Sequence, residues 1–131
     1  MTSVRPSELE LQILSVLWQK GPASVRTVRS AIPDGKERAY TSVLSVMQTM
    51  EKKGLLGHER EGTTHIYHPL VERVQVLPPL LSQLVRNVFG GSPAQALQCL
   101  LDGTDVDDDE MRRIRTLIDE YEAEPSTGDD Q

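Results

Sequence analysis

The chain has a single cysteine, few aromatic residues and no long apolar segment. Cys99 alone cannot form an intramolecular disulfide framework or a cysteine-rich metal site. No apolar run reaches the roughly 18 residues of a membrane-spanning helix, and the polar N-terminal stretch does not resemble a signal peptide. The sequence therefore predicts a cytoplasmic protein without membrane insertion. Because aromatic residues make up only 4% of the chain, its core is expected to be mainly aliphatic.

Sequence motifs for catalysis, metals and cofactors are absent as well. There is no nucleophile elbow, no HExxH motif and no glycine-rich phosphate loop. Three consecutive acids, residues 107–109, stand at a predicted helix start, where carboxylates stabilise the helix dipole. His65 and His68 lie three apart on a predicted strand and point to opposite faces, so a shared chelate would be strained. We therefore expect no enzyme, no metal site and no cofactor.

Charge is divided unevenly along the 131 residues. Residues 1–70 carry nine lysines and arginines against seven acids, a net charge of +2. Residues 71–131 carry five basic residues against thirteen acids, a net charge of −8. The first part can face a polyanion, whereas the second would be repelled by one, which indicates two different tasks.

Three helices and a hairpin are predicted in the first 70 residues. A capping box formed by Ser7 and Glu10 begins the first helix, and a shorter helix follows it. The third helix runs from about Tyr40 to Lys53. Two short strands, 55–60 and 64–70, flank a glycine-containing turn and predict a hairpin. This order of elements is typical of a winged helix, in which the third helix enters the major groove and the hairpin touches the DNA backbone.

The third helix has an exposed face of unusual chemistry. Its apolar residues, such as Val43 and Met47, predict the buried side, while the opposite side carries no acid before Glu51. The major groove is about 12 Å wide, so short side chains near the N-terminus allow close approach, and acids there would be repelled by phosphate. A merely solvated face is the competing interpretation. The face consists of Thr41, Ser42, Ser45, Gln48, Thr49 and Lys52.

Further DNA contacts are expected from the wing tip and from surface cations. Arg60 and Thr63 lie at the wing tip, although the glutamates beside Arg60 fit a solvated set of ion pairs equally well. Arg26 and Arg38 are predicted to contact the phosphate backbone, which positions a protein without reading sequence. The full set of candidate backbone contacts also includes Arg5, Arg29, Lys36, Lys52 and Lys53.

The remaining residues predict a helical region at 71–123 and a disordered tail at 124–131. The first of its helices is expected to begin, or to kink, at Pro78-Pro79. A short helix containing Cys99 follows, and the cysteine is expected to be buried there. Three short helices make a poor core alone, so their aliphatic stripes predict pairing with a second copy. The candidate dimerisation residues are Leu80, Leu84, Val88, Ile114, Leu117, Ile118 and Tyr121.

Three segments carry a resemblance to a known family. In order along the chain, "VLW", "AYTSVLSVMQTMEKKGL" and "VFGGSP" resemble the penicillinase-repressor family (BlaI/MecI/CopY type) of bacterial winged-helix repressors, over about residues 6–123. The resemblance implies a homodimer that binds palindromic double-stranded DNA operators. It also implies groove contacts from the start of the third helix, onto which Thr41, Ser42 and Ser45 fall. In several members a membrane-bound sensor protease ends repression.

The sequence departs from the family at several positions. Leu44 and Thr49 stand where some members have basic residues. The bond that corresponds to the family's cleavage site is Cys99–Leu100, where the resistance repressors have an Asn-Phe pair. Its apolar and helical surroundings imply that a protease would need local unfolding first. The cysteine-rich motif of the copper-responsive branch is missing.

We therefore expect a mostly α-helical chain with a small β-hairpin wing. A winged helix-turn-helix DNA-binding domain at 1–70 precedes a helical dimerisation region at 71–123. The predicted function is that of a dimeric transcriptional repressor released by a sensor-linked signal. The alternative is a winged helix used for protein–protein contact without an operator, which the net charge of −6 favours slightly.

Overall fold

The computed structural model describes residues 5–124, which form six helices and one two-stranded antiparallel sheet. The predicted architecture of helices with a small hairpin is confirmed. Of the predicted tail, only Glu124 lies within the described residues, and its amide N–H donates to the Glu120 carbonyl at the end of the last helix. The helices are α1 (Glu8–Lys20), α2 (Val25–Ala31), α3 (Tyr40–Lys52), α4 (Arg73–Val88), α5 (Pro93–Gly103) and α6 (Asp108–Ala123), and the strands are β1 (Leu56–Glu61) and β2 (Thr64–Pro69).

The first three helices and the base of the hairpin share one aliphatic core. Each helix places an apolar stripe inward, and the fully enclosed side chains come from α1, α2, α3 and both strands. The largest of these are Ile13, Leu14, Leu17, Val28, Val43, Met47, Met50, Leu56 and Tyr67. Because the inward positions of α3 are filled in this way, its opposite side has to face outward.

Charged and polar groups close both ends of this core. The predicted capping box is confirmed, since the Ser7 hydroxyl accepts from the Glu10 amide and the Glu10 carboxylate accepts from the Ser7 amide. Glu10 is only 4% exposed, and its carboxylate also pairs with the Lys53 ammonium group at 2.9 Å. The Trp18 indole donates to the Val71 carbonyl at 3.0 Å. The Glu10–Lys53 pair fastens the start of α1 to the end of α3. The Trp18 hydrogen bond fastens the end of α1 to the chain that follows β2.

The hairpin is fixed in register and tied to the helical core. Leu56 lies opposite Pro69, and Glu61 lies opposite Thr64 across a two-residue turn. Gly62 in that turn has φ of 63°, a left-handed conformation that glycine adopts without strain. At the base of the wing, Tyr67 exchanges two backbone hydrogen bonds of 3.0 and 2.8 Å with Ala23, which precedes α2. The wing is therefore held against the three-helix unit at its base.

The chain divides into two compact units, and the division falls inside α4, after Leu81. Of the two alternatives predicted for Pro78-Pro79, a helix start is wrong, because α4 already begins at Arg73, and a kink stays a prediction. A proline lacks the N–H that would donate to the carbonyl four residues earlier. For Pro78 and Pro79 those carbonyls belong to Val74 and Gln75, both exposed, so water can satisfy them.

The expected burial of Cys99 is also wrong, because Cys99 is exposed. The partly buried side of α5 is formed by Ala96, Leu97 and Leu101, and Cys99 lies away from it. A short run in which nearly every residue is apolar does not specify which face turns inward. Among the described residues, no helix is long and apolar enough to cross a membrane.

Candidate nucleic-acid interface

The outward face of α3 has the composition predicted for it. Its six predicted residues, Thr41, Ser42, Ser45, Gln48, Thr49 and Lys52, are all exposed. The first turn contains no acid, and Ala39 at the N-cap supplies no side-chain hydrogen bond to the helix. The N-terminal end of α3 therefore presents short hydroxyl groups and the positive end of its dipole, a combination suited to a polyanion.

A cleft of about 610 Å³ lies between the start of α2, the outer face of α3 and the wing. It brings together three of the predicted contact residues from three separate elements, namely Arg26, Gln48 and Thr63. Tyr40 and His65 also line it, and neither was predicted from the sequence. Tyr40 could have been found as the first residue of the exposed α3 face. His65 could not have been found in the same way, because its place in the cleft depends on how the two strands of the wing pair.

The strand pairing of the wing separates its charges onto two faces. Side chains alternate along a strand, and residues directly opposite in the pairing share a face. Arg60 pairs with His65, and so lies on the face of buried Tyr67. Glu59 and Glu61 lie on the other face. The expectation of a solvated ion-pair set around Arg60 therefore loses its basis, since no ion pair joins Arg60 to either glutamate among the described residues.

A histidine stack ties the wing to α3. The Nδ1 atom of His58 lies 2.7 Å from the Glu51 carboxylate of α3. The His58 ring stacks on the His65 ring at a centroid distance of 4.3 Å. Beneath the stack, burial raises the pKa of the Tyr67 phenol, which stays neutral. Glu51, the one acid of α3, is thus engaged by His58 of the wing and does not stand alone in solvent.

The turn between α2 and α3 is organised by Asp34. Its carboxylate accepts two hydrogen bonds from the Arg38 guanidinium, at 2.8 and 3.0 Å, and one from the Lys36 amide. Gln12 of α1 adds bonds to the Asp34 side chain and amide. The hydrogen bonds from Arg38 are the main reason that the pKa of Asp34 lies well below its ordinary value. The network fixes the approach of the chain to α3.

Five of the predicted backbone contacts fall into two groups. Arg38 is paired with Asp34, and Lys53 is paired with Glu10, so these two cations serve the fold. Arg26, Lys52 and Arg60 are exposed, and none of them forms an ion pair with another described residue. Their charges remain available for contact with an anion. The DNA contacts themselves stay predictions.

The model of the penicillinase repressor family matches residues 6–120, nearly the whole described chain. The chain belongs to that family. It is 31% identical over 121 residues to the transcriptional regulator BlaI of Mycobacterium tuberculosis (strain CDC 1551 / Oshkosh), covering 91% of this chain and 86% of the relative. This confirms the family indicated by the sequence motifs.

More distant relatives carry names of the same kind. The methicillin resistance regulatory protein MecI of Staphylococcus aureus (strain N315) is 19% identical, with 86% of this chain and 91% of MecI covered. The penicillinase repressor of Bacillus licheniformis is 16% identical, with coverages of 88% and 90%. A solved structure titled CopR repressor matches 55% of this chain and all of its own, with 28% identity and a TM-score of 0.43. Because the family match covers nearly the whole described chain, this member is a DNA-binding transcriptional repressor and not an enzyme.

The C-terminal helices of this repressor contain a second surface of interest. No side chain of α4, α5 or α6 is buried within the chain. Of the predicted dimerisation residues, Leu80 and Ile114 are partly buried, whereas Val88 is 66% and Tyr121 80% exposed. The others, Leu84, Leu117 and Ile118, are about half exposed. Large aliphatic side chains in such a number are uncommon on the free surface of a monomer.

The candidate cleavage bond lies within a regular helix. Cys99 and Leu100 are both exposed on α5, and α5 continues to Gly103. Helical structure at this bond agrees with the prediction, whereas the exposure of Cys99 does not. Exposure alone does not make the bond accessible to a protease, because the helical backbone has to open before it can enter an active site.

Proposed function

We propose that this repressor binds a palindromic DNA operator as a homodimer, with α3 of each subunit in the major groove of one half-site. The observation that carries the proposal is the acid-free face of α3, which opens into one cleft with Arg26 and the wing residue Thr63. Hydroxyl and amide groups in the centre would meet base edges, and cations around them would meet phosphates. Such a repressor acts where the DNA is, in the cytoplasm.

A second copy is the partner that the C-terminal helices require in this proposal. Their stripes, including Leu84, Leu117 and Ile118, are exposed and are not covered by the described part of the chain. A two-fold dimer presents two identical reading helices, and this symmetry matches a palindrome with one half-site per subunit. The strong negative charge after residue 70 keeps this region away from the phosphates.

Release of the operator is proposed to follow from uncoupling the two subunits. When two half-sites are linked, the second contact is effectively intramolecular, so the dimer binds far more tightly than either half. A sensor-linked signal that damages the dimerisation region would therefore weaken binding without touching the α3 face. Cleavage at Cys99–Leu100 by a membrane-bound sensor protease is the candidate route, and it would require α5 to unfold locally.

The salt dependence of binding to the DNA upstream of the protein's own gene tests operator binding. A dimer that neutralises about six to ten phosphates should lose ~10³–10⁵-fold in affinity between about 50 and 200 mM salt. Lys52→Ala removes one cation from each α3 and should make the slope of log affinity against log salt shallower by about 1 per subunit. Lys20→Ala removes the same charge at the end of α1 and serves as the matched control.

The result also separates the repressor from the protein–protein alternative. If the wild-type protein shows no retarded complex, or if its affinity does not change with salt, operator binding is contradicted. A winged helix that only contacts another protein would give that result. If Lys20→Ala changes the slope as much as Lys52→Ala does, the contact surface does not lie on α3.

A further inference from the structure

Gln48 occupies a position on α3 that no structural contact accounts for. It lies in the third turn, is exposed, and lines the cleft together with Arg26 of α2 and Thr63 of the wing. Among residues 5–124, its side-chain amide takes part in no hydrogen bond. The amide of Gln12, by contrast, both donates to and accepts from Asp34. One planar donor–acceptor pair is thus left unused in the middle of the candidate interface.

The rest of the α3 face has little capacity to distinguish bases. From Tyr40 to Glu51 the helix contains no lysine or arginine, so the commonest contact with guanine is missing from its first three turns. The hydroxyl groups of Thr41, Ser42 and Ser45 can bond to more than one base, because each can donate or accept. Lys52 follows only one turn after Gln48, toward the end of the helix.

The neighbours of Gln48 would place it within the footprint of a duplex bound as proposed. Arg26 approaches the cleft from α2, and Thr63 approaches it from the wing tip. Both are suited to phosphate contacts, which position a protein on DNA without reading sequence. In the proposed complex, a side chain that shares the cleft with two such contacts would face the groove between the strands. An amide there can donate from Nε2 and accept at Oε1 at the same time.

We propose that Gln48 is the residue that specifies a base in the operator, and that the base is an adenine in each half-site. The Nε2 group donates to adenine N7, and the Oε1 atom accepts from the adenine N6 amino group, which is the paired pattern that an amide matches. The inference rests on the proposed function, since it assumes that α3 enters the major groove. It goes further by naming the reading residue and the base.

Selection of full-length protein on a random-sequence DNA duplex library tests the inference. The wild type should enrich half-sites that contain one invariant adenine. Gln48→Ala should lose the preference at that position alone and keep the others, with a loss of about 5- to 150-fold in affinity for each half-site of the wild-type site. Gln19→Ala, an exposed helical glutamine outside the cleft, should select the same sites as the wild type.

An adenine analogue on the selected site completes the test. Replacing the invariant adenine by 7-deazaadenine removes N7, so it should weaken the wild type and leave Gln48→Ala unaffected. An unchanged consensus for Gln48→Ala overturns the inference, as does guanine at the Gln48-dependent position, and operator binding by α3 would stand in both cases. If the wild type enriches no sequence, the proposed function itself fails.

Discussion

Ser42 shows how a single exposed position can separate binding from folding. It lies in the first turn of α3, points away from the core and makes no side-chain hydrogen bond with another residue of 5–124. A carboxylate at this position would meet phosphate oxygens at close range in the proposed complex, and like charges brought together cost several kcal/mol.

Ser42→Glu should therefore weaken operator binding by more than about 100-fold while the thermal midpoint stays nearly unchanged. Gel retardation and thermal melts of the same preparations measure the two effects. Gln19→Glu adds a charge of the same sign at the end of α1 and should bind like the wild type. Binding of Ser42→Glu within twofold of the wild type would refute the role of this face.

Asp34 is a residue whose contribution should depend on pH. Its pKa is lowered in the folded protein, chiefly by hydrogen bonds from Arg38. A carboxyl with a depressed folded pKa stabilises the fold above its ordinary pKa of about 3.9, and the stabilisation is lost as pH falls toward the depressed value.

Asp34→Asn should therefore lower the thermal midpoint at neutral pH, and the gap to the wild type should narrow once the pH falls below about 4. Thermal melts between about pH 7 and pH 3 measure the gap. Asp102→Asn, at an exposed position of α5, should show no comparable gap. A gap that stays constant on acidification would mean that the carboxylate charge is not what secures the turn before α3.

Helix α6 is the element on which the dimer proposal can be tested most directly. It runs from Asp108 to Ala123 with acids in its first turn, and its apolar stripe is largely open to solvent. Leu117 is 53% exposed, so the chain by itself gains little from burying it. A second copy that covers the stripe would bury apolar area on both helices, which stabilises the dimer.

Leu117→Asp would bury an unpaired carboxylate in the proposed interface and should cost several kcal/mol of assembly. Sedimentation should then show a monomer at micromolar concentration, with the helical circular dichroism of the N-terminal unit retained. Thr116→Asp, one residue earlier and also exposed, controls for the added charge. A dimeric Leu117→Asp variant would move the interface elsewhere, with the Leu80–Val88 part of α4 as the next candidate.

At the scale of the whole molecule, tight operator binding is proposed to depend on the dimer contact that links two winged-helix units. The first compact unit runs to Leu81, and the Val71 carbonyl accepts from Trp18 within it. A fragment that ends at residue 70 would lose this contact. Residues 1–81 are therefore the fragment that keeps the core contacts intact.

The fragment 1–81 should retain the fold of its three helices and wing but bind the palindrome at least about 100-fold more weakly than the full chain, because avidity is lost. Titrations on one palindrome and on its isolated half-site give the comparison, and both proteins should bind the half-site alike. Equal affinities for the palindrome would mean that dimerisation does not make the complex tight. A cut at Cys99–Leu100 could then not release the operator by separating the subunits.

Much of the fold was determined by local sequence. Capping at Ser7 and Glu10, the glycine after α1 and the period of the apolar residues fixed the first three helices, because these signals act within one or two turns. A glycine-centred turn between alternating strands fixed the hairpin in the same way. The acid-free face of α3 could be predicted because the same period that assigns one side to the core assigns the other to solvent.

Only the tertiary structure decided which side chains from different elements meet. The pairing of Lys53 with Glu10 joins residues 43 positions apart. Lys53, which was predicted to contact DNA, therefore serves the fold instead. Cross-strand register separated Arg60 from its neighbouring glutamates, a distinction that adjacency in sequence hides. In α4 and α5, where the start of the helix and the exposure of Cys99 were mispredicted, many positions are apolar but no side chain is buried. Without a core contact within the chain, the apolar period does not decide which side chains are covered, because that depends on what the helix packs against.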